Sequence, residues 1–250
     1  MLYKIRCFSQ WILYVVGYCK KEKKEMEKNN NSILNNYIVQ SVKATTVKDW
    51  FLNKHYAKRL PMTSYCFALY FNKEIVGVCS FGQTPSIQLN YSLSNDKNKV
   101  IELNRLITND NLPKNCTSFF VSQCLKKLPK PLIIVSFADI SKNHNGYIYQ
   151  ATNWIYTGLN AERYEWKSKK EPNLHYRNIA ERYIGIDKTK VDDLYKVKLS
   201  RKHRYVYFLG NRKDKKNMLL NMKYKKEEYP KGENKKYDAS YKPNTQISIF

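Results

Sequence analysis

Acidic residues are scarce in this chain, and so are the patterns that mark metal or disulfide frameworks. Only 21 Asp+Glu stand against 45 Lys+Arg, a formal net charge of +24 over 250 residues. That is far more than solubility requires. It points to polyanionic partners, nucleic acid before acidic membrane. The six cysteines, at 7, 19, 66, 79, 116 and 124, make no C-x-x-C pair and no Cys/His cluster at zinc spacing. Cys66 and Cys79 lie in apolar, strand-like segments and read as buried free thiols of an intracellular, cytoplasmic protein. Long apolar runs are missing too. Trp11–Tyr18 is too short to span a bilayer, and no small-residue cleavage site follows it, so no membrane role is expected.

What is present supports a folded core. The hydrophobic fraction is 42%, with 21 Tyr and 10 Phe, and 250 residues suffice for one well-filled domain with tails. Residues 1–34 read as a poorly ordered or misassigned extension, 35–231 as the folded domain, and 232–250 as a flexible basic and polar tail.

The segment 100–154 organises the rest. Val100–Ile107 reads as a half-buried strand, with Ile101, Leu103 and Leu106 among polar residues. After the break at 109–113, Thr117 or Ser118 can cap a helix running to about Leu128, which Pro129 and Pro131 end. Leu132–Ala138 is a continuous apolar run, as expected of a strand buried on both faces. It closes on Asp139, at the strand end where open α/β sheets bind ligands. Ahead of this segment, Val39, Val42 and Thr45 suggest a strand and Thr46–Tyr56 a helix with Trp50 and Phe51 inward. Ser64–Phe71 and Glu74–Gly82 form a hairpin turning at Asn72-Lys73. Residues 83–99 read as loop. Beyond Trp154, Ile155–Leu159, Arg163–Trp166 and Tyr205–Leu209 suit strands. The expected class is α/β, a central mixed sheet flanked by helices with a basic C-terminal extension.

Between Lys196 and Lys242, 16 Lys+Arg face 5 Asp+Glu, with seven aromatic residues interleaved. Basic residues beside aromatic platforms are what a nucleic-acid strand needs. Lys202, Arg204 and Arg212 are the first candidates for phosphate contact; solvated lysines are the plainer reading.

The element order matches the GNAT acyltransferase plan. At finer grain several spaced motifs resemble the phage Mom family of DNA-modification proteins, a divergent branch of that superfamily. They are His55-Tyr56, Val76-Gly-Val-Cys-Ser-Phe-Gly82, Glu102-Leu-Asn-Arg-Leu106, Leu112–Ser118, Ser136-Phe-Ala-Asp139, Gly146–Trp154 with Thr157-Gly158, and Lys202–Gly210. Together they cover roughly residues 37–231. The resemblance implies an enzyme that converts adenine in double-stranded DNA to an N6-carbamoylmethyl form, using a small-molecule group donor and shielding phage or mobile-element DNA from restriction. The superfamily implies an acyl-CoA cofactor, acetyl-CoA for example. Yet Leu112–Ser118, where GNAT enzymes carry a glycine-rich pyrophosphate loop, has no glycine, so the anion would fall to the helix start at Thr117-Ser118.

Adenine N6 is a weak nucleophile. A catalyst needs a proton acceptor, a donor that polarises the electrophile, and a way to extract the base. Asp139 is the candidate base, provided burial raises its pKa; capping of the next turn is the alternative. Arg105, a charge within a strand, can hold Asp139 or an anionic cofactor oxygen, or make a structural salt bridge. Tyr149 is read as an acid, a stacking face or core. His55 and Tyr56 end a helix at the sheet rim, and Ser136 packs locally. No metal cluster is evident, though His55, Tyr56 and Asp139 could meet in space. Two other classes remain open: a GNAT N-acyltransferase acting on RNA or a protein amine, and a non-catalytic nucleic-acid-binding protein.

Overall fold

The computed structural model describes residues 34–84, 86–172 and 176–232; the expectations for 1–33 and 233–250 fall outside them. Nine strands are β1 (Ile38–Ser41), β2 (Tyr65–Phe71), β3 (Glu74–Gln83), β4 (Val100–Thr108), β5 (Leu132–Asp139), β6 (Ile155–Leu159), β7 (Tyr164–Ser168), β8 (Leu194–Lys198) and β9 (Lys202–Leu209). Among the described residues the α-helices given whole are α1 (Ile87–Leu93), α2 (Cys116–Lys127), α3 (Tyr147–Ala151), α4 (Tyr176–Arg182) and α5 (Arg212–Asn221). This is the expected α/β class. The order strand–helix–hairpin–strand–helix–strand–helix–strand is kept from β1 to β6, save that two short turns stand in place of the first helix and α1 lies between β3 and β4; β7, α4, β8, β9 and α5 follow.

The chain divides into two compact units. In the first, strands run β1-β2-β3-β4; in the second, β4-β5-β9-β6, and a separate β7–β8 pair. Strand β4 is common to both, its Val100–Glu102 in the second and Leu103–Thr108 in the first. Strand β2 pairs antiparallel with β1 and β3 in the first unit; in the second, β9 pairs antiparallel with β5 and β6, and β4 runs parallel to β5, Val100 opposite Ile133.

The first unit packs Val47, Trp50, Phe51, Cys66, Val78 and Ile107 together. Trp50 and Phe51 point inward as the sequence requires. The expected helix 46–56, however, is two short pieces, a 3₁₀ turn Ala44–Val47 and a π turn Trp50–Lys54. The β2–β3 turn sits at Asn72 (φ 49°) and Lys73 (φ 67°), both left-handed as a type I′ hairpin demands. Helix α2 starts two or three positions earlier than expected: Asn115, at φ 66°, precedes it, not Thr117 or Ser118.

The second unit packs Leu89, Leu93, Val100, Ile133, Val135, Val206, Phe208 and Met218. Residues 83–99, expected as loop, contain α1. Ser86 caps it by accepting the Leu89 N–H at 3.3 Å, and Leu89 and Leu93, four apart, reach the core. Helix α5 was also unforeseen. Asn211 and Asp214 close a capping box at its start, but only Met218 is buried, so hydrophobic periodicity gives almost no signal. Strand β5 is buried almost throughout, as its apolar run implies. Strand β9 begins at Lys202, three residues before the expected start, because it is a central strand bonded to β5 on one side and β6 on the other.

Candidate functional site

The carboxyl end of β5 and the helix α3 that follows carry the most organised polar cluster of the second unit. Strand alternation buries Ser136, and its hydroxyl donates to the Tyr149 hydroxyl at 2.7 Å. Tyr149 is placed by the start of α3, where Gly146 holds φ 72°. A Cβ there would lie 2.3 Å from the buried Tyr205 ring, so glycine is required both for backbone and for space. The Tyr149 ring lies 5.0 Å from Trp154 and 5.1 Å from Tyr205, separations typical of packed aromatic pairs. Tyr205 donates to the Asn145 carbonyl and accepts from Gln150 Nε2 at 3.2 Å. Burial pushes its phenol up to about 12. Tyr149 therefore stands half-buried on an aromatic floor, with its hydroxyl oriented by a buried serine.

Asp139 ends β5 and caps the 3₁₀ turn Ile140–Lys142, accepting the Ser141 N–H at 2.9 Å. Ser141 Oγ and Ser200 Oγ each donate to the same oxygen at 2.8 Å, and Lys202 Nζ lies 3.5 Å from the other. Burial alone would raise its pKa. The hydrogen bonds from Ser200 and Ser141 and the charge of Lys202 outweigh it and hold the carboxyl below its ordinary value. The shift is opposite in direction to the one expected of a general base at this position. Through these contacts Asp139 ties the chain at Ser200–Lys202 to the end of β5.

Beyond Lys202, β9 departs from the expected basic front. Arg204 is buried, its Nε donating to Thr157 Oγ1 at 2.9 Å and Nη2 to the Thr157 carbonyl at 2.8 Å, while Tyr224 stacks on the guanidinium at 3.4 Å. A phosphate cannot reach a cation so enclosed, because β9 is buried on both faces from His203 to Val206. Arg212, exposed at the start of α5, keeps that capacity. His203, also buried, meets Tyr156 Oη through Nδ1 at 2.8 Å, and burial lowers its pKa. Sequence reasoning missed Ser200, Ser141, Tyr156 and His203. The burial of β9 on both faces gives no alternation that would single out His203, and the serines fall in irregular segments.

The remaining candidates belong to the first unit. Arg105, half-buried on β4, donates to the carbonyls of Asn104 at 2.6 Å and Arg59 at 3.4 Å. Its neighbour Asn104 accepts from Ser80 Oγ at 2.7 Å and donates to the Met62 carbonyl at 2.8 Å. His55 is buried at the end of the π turn. Its Nδ1 accepts the Ala57 N–H at 3.1 Å and its ring lies 4.3 Å from the exposed Tyr56 ring. At the start of α2, Ser118 Oγ bonds back to the Asn115 carbonyl at 2.9 Å, whereas Thr117 is half-buried one position nearer the helix start. Asn115 supplies the left-handed conformation that a glycine commonly provides before an anion-binding helix start. The start of α2 thus fits a pyrophosphate in backbone shape, with a side chain where glycine would allow closer approach. Among the described residues, no group of three or more His, Cys, Asp or Glu side chains is placed to hold a metal ion. No helix among them is long and apolar enough to cross a membrane.

Comparison with known proteins adds an independent line. Residues 36–231 match the profile of the Mom protein family. Over 238 residues the chain is 26% identical to the methylcarbamoylase mom of Escherichia phage Mu, covering 90% of each. Among solved structures, it is similar to a GNAT family acetyltransferase of Elizabethkingia anophelis with acetyl-CoA bound, at 11% identity and TM-score 0.38, covering 70% of this chain and 99% of that one. It is also similar to an acetyltransferase of Bacillus subtilis in complex with CoA, at 12% identity and TM-score 0.37, covering 69% and 99%.

Proposed function

The chain belongs to the Mom protein family, and from that premise we propose that it is a DNA-modifying transferase that places a carbamoylmethyl group on N6 of adenine in duplex DNA. The observation that carries the reading is the 26% identity, spread over 90% of both chains, with a phage methylcarbamoylase. A match of that extent covers the carboxyl end of β5, α3 and β9 together. The high positive charge agrees with a polyanionic substrate. Protection of the modified DNA from restriction follows as the biological role.

In this reading an N6–CH2 bond forms as the bond between the donor's methylene carbon and its leaving group breaks, the leaving group keeps the electron pair, and the N6 proton must be taken up. Tyr149 and Ser136 are the pair best suited to that transfer. The Tyr149 and Ser136 hydroxyls share a hydrogen bond of 2.7 Å, a two-hydroxyl relay along which a proton can pass, and the aromatic floor limits the movement of the tyrosine. Asp139 serves by position: it stays ionised and holds Lys202 at the rim, where the cation can face a phosphate or a developing negative charge. His55, Tyr56 and Arg105 are further candidates from the first unit. The N6–CH2 bond of this product requires an electrophilic methylene carbon; an acyl-CoA, when bound, would instead supply an activated acyl carbon for the alternative of acyl transfer, and Thr117 with the N–H groups of Thr117 and Ser118 at the start of α2 would hold its pyrophosphate.

Nucleoside mass spectrometry on DNA from cells expressing the chain tests the proposal, with Tyr149→Phe and Asp139→Asn beside the wild type. The expected result is a deoxyadenosine species about 57 Da heavier, lost in Tyr149→Phe and reduced in Asp139→Asn, as proton transfer and positioning respectively require. A glycyl group joined through its carbonyl has the same mass, so mild alkali completes the assay. An N6-alkyl product survives alkali, whereas an N6-acyl product reverts to deoxyadenosine. Unmodified DNA from folded, soluble protein would refute the reading, and a labile adduct would favour acyl transfer.

A further inference from the structure

The outer face of α5 combines two chemistries that a solvated helix has no reason to combine. Taking roughly 100° per residue, Arg212, Lys213, Lys216 and Leu220 fall on the side away from Met218, the one residue of α5 buried in the core, and Leu219 lies on the flank of that face. The first three are exposed cations. The two leucines, at the far end, are 50% and 74% exposed. Lys215 lies off this face, its Nζ 6.0 Å above the Tyr207 ring. The helix start is not itself an anion site, because Asn211 and Asp214 already satisfy it through the capping box. The cations and leucines must therefore act through their side chains.

We propose that this face of α5 docks in the major groove of duplex DNA, its cations on the phosphates and its leucines on the groove floor. The inference deepens the function proposed above and rests on it. Ten residues of helix span about 15 Å, and a groove roughly 12 Å wide admits one helix. Three cations on one face complement a phosphate backbone, and each phosphate neutralised releases counterions. Leucine offers no hydrogen bond to base edges, but apolar side chains contact the thymine methyl group in that groove. Every adenine in duplex DNA is paired with such a thymine. A second copy of the chain is a poorer occupant, since pairing this face with itself would bring six like charges together on a molecule already at +24.

Fluorescence anisotropy of a labelled mixed-sequence duplex, titrated with the full chain at several salt concentrations, tests the assignment. The triple variant R212Q/K213Q/K216Q should make the slope of log K against log salt shallower by about 2 to 3. L219S/L220S should weaken binding about three- to tenfold with the slope unchanged, and should reduce any preference for A·T-rich over G·C-rich duplex. The control K97Q/K169Q/K190Q removes the same charge from exposed positions elsewhere and should leave the slope within about one unit of wild type. None of the five substituted positions of α5 is buried in the core, so circular dichroism melting should be unchanged; a variant that melts early is replaced by its single substitutions. Equal losses in the control and α5 triple variants would overturn the assignment, reducing the effect to net charge. So would unaltered affinity in L219S/L220S accompanied by a change in sedimentation coefficient, which would make the face an interface between copies. Nucleoside analysis of cellular DNA separates the two levels: a modifying wild type whose α5 variants bind normally sinks the docking face alone, and an absence of both modification and duplex binding sinks the proposed function with it.

Discussion

At Asp139 two opposed effects act on one carboxyl. At the end of a buried strand, desolvation pushes a carboxyl toward neutrality. Three hydrogen bonds from Ser141 and Ser200 and the nearby Lys202 push harder in the other direction. With its folded pKa below the ordinary 3.8, Asp139 contributes stability that is full above that value and is lost as pH falls through the folded pKa. His203 and His144 are both lowered from 6.5 by burial. The unfolded chain binds more protons there, so stability falls as pH drops from about 6.5 toward the folded values. Thermal melts between pH 3 and 8 should show stability rising in two steps. In Asp139→Asn the acid step should shrink while the step near pH 6 stays. A lower step of unchanged size would mean that other carboxylates produce it.

At the scale of elements, legibility in the sequence follows the strength of the local signal. β5 could be read because a run of Leu, Ile and Val with no charge has few other uses, and the β2–β3 hairpin because its flanks are apolar on both sides. α1 was hidden by its polar residues, although Ser86, Leu89 and Leu93 held the cap and the spacing. α5 was hidden because one buried methionine makes no period. Arg204 was misread since membership of a central strand depends on pairing with β5 and β6, which lie far away in sequence. The Ser136–Tyr149 pair was named residue by residue, but not as a hydrogen bond, because thirteen residues and a left-handed glycine separate them. The hairpin turn tests one of these readings quantitatively. Lys73 sits at φ 67°, a conformation that costs a side-chain-bearing residue about 1 kcal/mol and glycine almost nothing. Lys73→Gly should therefore stabilise the protein by about 0.5–1 kcal/mol in urea denaturation with the m-value unchanged. A loss of stability would mean that the lysine side chain contributes more than its backbone costs.

At the scale of the whole molecule, the charge that suits a polyanionic substrate works against the fold. Twenty-four uncompensated positive charges repel one another at every pH where the protein is used. The ion pairs among the described residues are mostly half-exposed surface contacts, such as Lys190–Asp187 at 3.9 Å and Lys99–Asp96 at 3.7 Å. Pairs of that kind contribute about 0–1 kcal/mol each, and salt weakens them. The two effects oppose each other as ionic strength changes. Repulsion acts across the whole surface, at separations near the Debye length, which shrinks from about 30 Å at 0.01 M salt to about 10 Å at 0.1 M. Contact pairs lie well inside either length and are screened less. Raising sodium chloride over that range should therefore increase the melting temperature by several degrees, while DNA binding weakens steeply over the same range. Calorimetry and anisotropy on one preparation would measure both. A melting temperature that falls with salt would show that attraction between surface pairs, and not repulsion of the excess lysines, governs stability. The cost of carrying so basic a surface would then have been neutralised within the fold, and binding of DNA would bring no relief of strain to the protein.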